Sequence, residues 1–249
     1  PDLITRHAYL NVYTTVSIAA GSETLCPGQF EIPVTTQDFF RVSAMSLTLQ
    51  YDPTLLEYTG YSDFHEDLAD HLYSINADDG NIYLSWAAAD TVSIGSGLII
   101  SFLFNSLQHG SSNMIWDTIT PGNCELTHLD GHVLRDNYYN GSVVVHQLVD
   151  ITGQPASATV NFGQNAYFGI SAVGSGLNYQ WQESTDGGGS WTNLTNSALY
   201  SGTASNELTI INPTVSMNTY QYRCYVAGYC QPSDTSETAT LFVYPVITT

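Results

Sequence analysis

The chain has 249 residues, enough for two cores of ordinary domain size, and its 43% hydrophobic content excludes a disordered polymer. Charged residues make up only 11%, and nearly all share one sign: four Arg, no Lys and 23 Asp plus Glu give a formal charge of -19. Such a surface repels a phosphate backbone, which argues against nucleic acid as a partner, and it disfavours anionic lipid for the same reason. No run approaches the eighteen or so apolar residues of a membrane span, so no membrane insertion is expected, and no basic, apolar secretion signal opens the chain. Asn, Gly, Ser, Thr and Tyr dominate the composition and helical periodicity is nearly absent, a combination that predicts an all-β protein with an extracellular or cell-surface setting.

In chain order, the first informative stretch is Met45 to Glu57. Leu47, Leu49 and Tyr51 share one face of a strand, and Asp52-Pro53 stops the ladder and turns the chain before Leu55-Leu56. His65 to Tyr73 is the longest helix candidate, one or two turns at most. Asn81 to Ala87 is a strand ending in an aromatic-Ala pair, Gly97 to Phe104 a Gly-led strand ending in Phe, and Asn140 to Val145 a closing strand. In this order and spacing the motifs resemble the cohesin family, jelly-roll modules that bind dockerins or carry related adhesive roles, across roughly residues 8 to 146.

That resemblance implies a jelly-roll β-sandwich and a protein partner, but it is weaker at the positions that would grip a dockerin. Those places hold Ala44, Ser46, Ser85 and Ala88, which are small and uncharged. A face of such residues can bind a protein by shape or a glycan by stacking on exposed Tyr. Ser46, Tyr83 and Ser85 are therefore the candidate partner-binding residues. Among other loop features, His128 and His132 are separated by a turn and read as loop histidines. Asp130, Asp136 and Asn137 offer hard oxygen ligands for a structural calcium ion, without a complete calcium-loop motif. No cofactor is required by any motif. Asp90-Thr91-Val92 and Asp117-Thr118-Ile119 resemble short bacterial O-glycosylation acceptors at Thr91 and Thr118.

A boundary falls near Gln147 to Pro155, and residues 153 to 245 form a second unit. Ala166 to Val173 alternates as a strand, Leu177 to Glu183 is a strand with a central Trp181, Asp186 to Gly189 is a turn, and Leu208 to Ile210 leads into Tyr220 to Val226. This half resembles an immunoglobulin-like domain, with Trp181 as the core Trp and Tyr222, two residues before Cys224, at the tyrosine-corner position. Tyr220 shares that strand face. The usual inter-sheet bond is not available, because Phe168 and Ile170 stand where the partner cysteine would lie.

The fold class is thus all-β: a cohesin-like jelly-roll sandwich followed by an immunoglobulin-like sandwich. One cysteine pair per half suggests disulfides Cys26–Cys124 and Cys224–Cys230 and an oxidising compartment, with four free thiols as the alternative. The first closes a long loop and would contribute roughly 3–5 kcal/mol in the chain-entropy model. No Gly-x-Ser-x-Gly elbow, phosphate loop or His-Glu-x-x-His helix is present, so no enzymatic activity is expected. Both ends look cut from a longer polypeptide. The expected role is a non-catalytic adhesion or scaffold segment of a larger bacterial surface or secreted assembly, binding a protein partner or its own neighbouring domains. The alternatives are a carbohydrate-binding module and an accessory region of a secreted enzyme.

Overall fold

The computed structural model describes residues 15–245. It divides into two compact units between Val145 and His146. In the first, the chain forms β1 (Val16–Ala20), β2 (Ser22–Leu25), β3 (Gln29–Phe39), β4 (Val42–Gln50) and β5 (Leu56–Ser62). A single helical turn, α1 (Glu66–Ala69), precedes β6 (Leu72–Asp78), β7 (Asn81–Val92), β8 (Gly95–Ser106) and β9 (Gly110–Trp116). Three short strands complete it: β10 (Glu125–Thr127), β11 (Asp136–Tyr139) and β12 (Gly141–Val145).

These strands make two sheets, ordered β11-β1-β3-β8-β5 and β2-β12-β9-β4-β7-β6, with β10 added to β4. Alternation assigns one face of each strand to the shared core: Val16 and Ile18 of β1, Ile32 and Val34 of β3, Leu47 and Leu49 of β4, Ile82, Leu84 and Trp86 of β7 are all buried. The Asp52-Pro53 break works as expected. The Asp52 carboxylate accepts from the Thr54 amide at 2.9 Å, and its carbonyl accepts from Leu56 N at 3.0 Å, which bends the chain into β5.

The first and last strands of this unit run side by side and change sheets together. β1 pairs in parallel with β11, and β2 pairs in parallel with β12. The corner is made by glycines. A Cβ on Gly141 would sit 2.0 Å from the Gly21 carbonyl oxygen and 2.8 Å from that of Ala20, so only glycine lets the two backbones meet. Asn140 Oδ1 accepts from Trp116 N at 2.9 Å, and the Trp116 indole donates to the Tyr139 carbonyl at 3.0 Å, which ties β9 to the same corner.

The second unit contains β13 (Asp150–Gly153), β14 (Ala158–Asn161), β15 (Ala166–Gly169), β16 (Ser171–Val173), β17 (Asn178–Ser184) and β18 (Thr192–Asn193). These are followed by β19 (Tyr200–Ser201), β20 (Glu207–Ile210), β21 (Gln221–Ala227), β22 (Asp234–Thr235) and β23 (Ala239–Tyr244). One sheet runs β14-β23-β21-β17-β18 with β22 on β21, another is β15-β20-β19, and β13 pairs with β16. The antiparallel β17-β21-β23 set facing β15-β20-β19 is the strand arrangement of an immunoglobulin-like sandwich. Trp181 is fully buried and its indole donates to the Ser205 carbonyl at 2.9 Å. Phe168 fills the place left by the missing cysteine, its ring centroid 6.4 Å from that of Trp181 and 5.1 Å from that of Tyr222.

Two expectations are corrected here. Tyr222 does not use its hydroxyl to brace upstream backbone as a tyrosine corner does. It donates to Glu183 Oε2 at 3.0 Å, and Tyr200 donates to the same oxygen, so an inward-facing carboxylate from the neighbouring strand takes the hydroxyl. The cysteine pairs also differ, since Cys124 and Cys224 carry free thiols. Cys26 follows β2 at one sheet edge, whereas Cys124 lies beside β4 and its thiol donates to the Thr48 carbonyl at 3.7 Å. With β12 and β9 between them, the two sites are about 14 Å apart at ordinary strand spacing, beyond disulfide reach. In the second unit β21 runs on through Ala227 instead of turning, and Ser236 stands opposite Cys224, accepting from its amide at 2.9 Å. Cys26 and Cys230 are disulfide-bonded residues.

Burial pushes both free thiols up to about 11. Maleimide labelling of the folded chain at pH 8 should therefore be slow at Cys124 and Cys224 and become fast on unfolding; rapid native labelling at either would contradict this placement. Gly141→Ala should destabilise the first unit by at least about 2 kcal/mol through backbone overpacking, measured by denaturant unfolding. Gly97→Ala, where the added Cβ meets nothing within 4 Å, serves as the near-neutral control.

Candidate functional site

The outward face of the β10-β4-β7-β6 segment gathers the residues singled out in the sequence. Ser46 stands opposite Ser85 on β7 and Glu125 on β10, and Ser85 stands opposite Ser74 on β6, so one row across four strands reads Glu125, Ser46, Ser85, Ser74. The flanking rows are Thr127, Ala44, Ala87, Leu72 and Thr48, Tyr83, Asn76, of which Thr48 is buried. Alternation explains the face: with Ile82, Leu84 and Trp86 inward, Tyr83, Ser85 and Ala87 must point out. Tyr83 is 38% and Leu72 81% exposed, while Ser46 is half-buried between its neighbours. The result is a shallow face of small side chains with a tyrosine and a leucine standing proud, and Glu125 as the acid in its central row.

The structure thus brings Ser46, Tyr83 and Ser85 onto one face and adds the β6 residues Leu72, Ser74 and Asn76, which the sequence reading missed. The signal was present. Leu72 to Ala77 alternates, and Asp79-Gly80 is a strong two-residue hairpin signal that joins it to the strand at Asn81. A helix reading of His65 to Tyr73 hid it. The helix is the single turn α1, with the His65 ring accepting from the Asp67 amide at 3.3 Å, and Tyr73 already belongs to β6.

The loop acids have protein donors. The His128 and His132 ring Nδ1 atoms lie 3.0 and 3.1 Å from Asp130 Oδ1, brought together by the turn after β10 and not by a helix. The same oxygen accepts from the His132 amide at 3.1 Å, and this backbone bond is the main reason the Asp130 carboxyl is held down to about 2. Asp136 Oδ2 accepts from the Tyr138 hydroxyl at 2.8 Å, and Asn137 lies exposed on β11. Among the described residues no three His, Cys, Asp or Glu side chains are placed to hold a metal ion. Thr91 is half-buried near the end of β7, and Thr118 is exposed in a turn fixed by Asp117, which accepts from the Ile119 and Thr120 amides. In the second unit the turn after β17 is organised by Asp186, which accepts from Ser184 Oγ at 2.7 Å and the Ser190 amide at 2.9 Å; these bonds hold its carboxyl down to about 2.

No family model matches the chain, and no curated protein does. Among solved structures, it is similar to a non-cellulosomal cohesin from the archaeon Archaeoglobus fulgidus, at 20% identity over 53% of this chain and 91% of that one, with a TM-score of 0.46. A cohesin of scaffoldin B from Acetivibrio cellulolyticus, solved with a Cel5 dockerin, matches at 18% identity over 53% of this chain and 99% of its own, with a TM-score of 0.45. The paired immunoglobulin domains of DIP-gamma match 93% of this chain and 98% of theirs, at 12% identity and a TM-score of 0.44. By strand order and core, the chain is an all-β protein of two β-sandwiches, the second with the strand arrangement of an immunoglobulin-like sandwich.

Asp186 is ionised in the fold well below the 3.8 of an ordinary carboxyl. Its contribution to stability is fully present above about pH 4 and is lost as pH falls through about 2, because the unfolded chain binds the proton first. Asp186→Asn should flatten the fall in stability of the second unit across that window, followed by denaturant titration at each pH. An unchanged slope would count against the assigned bonds.

Proposed function

We propose that the chain is a non-catalytic, extracellular segment of a larger bacterial surface or secreted assembly and that it acts by binding a protein partner through the outer face of β10-β4-β7-β6. The observation that carries this reading is the face itself: small residues in register across four strands, with Tyr83 and Leu72 exposed as anchors. Apart from Glu125 these rows carry no charged side chain, so most of the face can be covered at little desolvation cost, and exposed aromatic and aliphatic anchors are what protein interfaces use.

The named histidines support a non-catalytic role, since each is engaged structurally. His65 caps α1, His71 packs edge-on against Trp86 at 5.6 Å, and His128 and His132 share Asp130. Oxidised Cys26 and Cys230 support a secreted setting. The second unit serves as a spacer or neighbour for the first. A glycan reading draws on the exposed Tyr61 and Tyr73, whose hydroxyls are 3.2 Å apart beside Phe64. It predicts binding that survives changes on the serine row.

Ser85→Arg and Ser46→Arg should each abolish capture of the partner from the extracellular fraction of the producing cells while leaving the melting temperature within a few degrees of the original. Tyr167→Arg, on the second unit, should leave capture intact. Loss of capture only in Tyr167→Arg would place binding on the other unit, and retention by a glycan array in all three variants would favour the sugar reading.

A further inference from the structure

A second feature of the first unit is a cleft of about 430 Å³ between the edge strands β5 and β6, which end the two sheets on the same side of the sandwich. Tyr51, Tyr58 and Leu107 give it aromatic and apolar walls, and Glu57, Asp78 and Asp79 line it with carboxylates. Its shape is fixed from behind. The Tyr51 ring packs on Phe104 at 5.2 Å, and the Tyr58 ring packs on Phe102 and Phe104 at 5.9 Å. Asp79 and Gly80 form the two-residue turn between β6 and β7, with φ of 42° and 77°. Tyr51 N donates to the Gly80 carbonyl at 2.8 Å, and a Cβ on Gly80 would lie 2.7 Å from the Tyr51 carbonyl oxygen, so the acidic turn is pressed against the chain and cannot drift.

The three carboxylates have no cationic partner among the described residues, whose ion pairs join His65 to Asp67 and His128 and His132 to Asp130. They also do not converge on a metal-sized space. The cleft sets carboxylates beside aromatic and apolar walls, a lining that matches a cation carrying its own apolar surface. A long basic side chain is such a cation, with its methylenes lying along Leu107 and its charged head between the carboxylates and the tyrosine faces.

The geometry points to a docking pocket for a lysine or arginine side chain presented by the protein partner. This rests on the protein-binding reading above for the nature of the occupant, but it uses residues separate from the serine row. The chain has no lysine of its own and is strongly acidic, so a basic partner is also favoured at long range before contact.

The test is a nuclear magnetic resonance titration of the full chain with acetyl-Gly-Lys-Gly-amide, its arginine counterpart and a norleucine control. We expect the basic peptides, and not the control, to shift the Tyr58 ring and the amides of Asp78, Asp79 and Gly80. The combined variant Glu57→Gln, Asp78→Asn, Asp79→Asn should weaken their binding at least fivefold with no change in melting temperature. Ser85→Arg, which disables the outer face, should leave peptide binding unchanged, so failure of that face and failure of the cleft are read separately. Equal shifts from norleucine, shifts spread over the acidic surface and insensitive to the triple variant, or the same shifts from calcium chloride that neither basic peptide can displace would overturn the proposal.

Discussion

The first unit depends on the close approach of two backbones at Gly21 and Gly141. There the opening and closing strands pass together from one sheet to the other, paired in parallel on both sides of the corner. Parallel pairing between strands so far apart in sequence closes a long loop, a non-local contact whose entropy cost the packed core of the unit must offset. It also extends each sheet by one short strand, β11 beyond β1 and β2 beyond β12. The opposite side of the sandwich has no such paired crossing from sheet to sheet. β5 and β6 end their sheets without a further strand, and it is there that the cleft opens and the hairpin face begins.

Acidity is managed locally in this chain. With few cations to pair with, its aspartates serve as turn staples: Asp52, Asp117, Asp130 and Asp186 each accept a backbone amide two to four residues further on. All four carboxyls are held below their ordinary value, chiefly by the Thr54 hydroxyl at Asp52 and the Ser184 hydroxyl at Asp186, with the backbone amides adding to these, and chiefly by the backbone amides of Thr120 at Asp117 and His132 at Asp130. Stapling satisfies hydrogen-bonding capacity without neutralising charge. The negative potential therefore stays on the surface, where a partner of opposite sign can use it.

Much of the fold was legible because alternation and turn chemistry agreed with burial. Leu47 and Leu49 face the core, Asp52 makes the turn, Trp181 is the buried center of the second sandwich, and Ser46, Tyr83 and Ser85 share a face. What was not legible depended on partners distant in sequence. The state of Cys124 follows from two strands intervening in the sheet, and the acceptor for the Tyr222 hydroxyl is a glutamate on a neighbouring strand; neither can be read from local spacing. β6 is a different case. Its Asp-Gly turn was visible, but the flanking His65 to Tyr73 helix reading consumed its first residues, and with it went half of the candidate face.

The proposed contact with another protein lies on the exposed hairpin face of the first unit. A photo-reactive amino acid placed at position 85, and in a separate preparation at position 167 of the second unit, would test this most directly in intact cells producing the chain. Light-dependent crosslinks to a distinct protein from position 85, with none from position 167, are the predicted result. Crosslinks from position 167 alone would contradict the account.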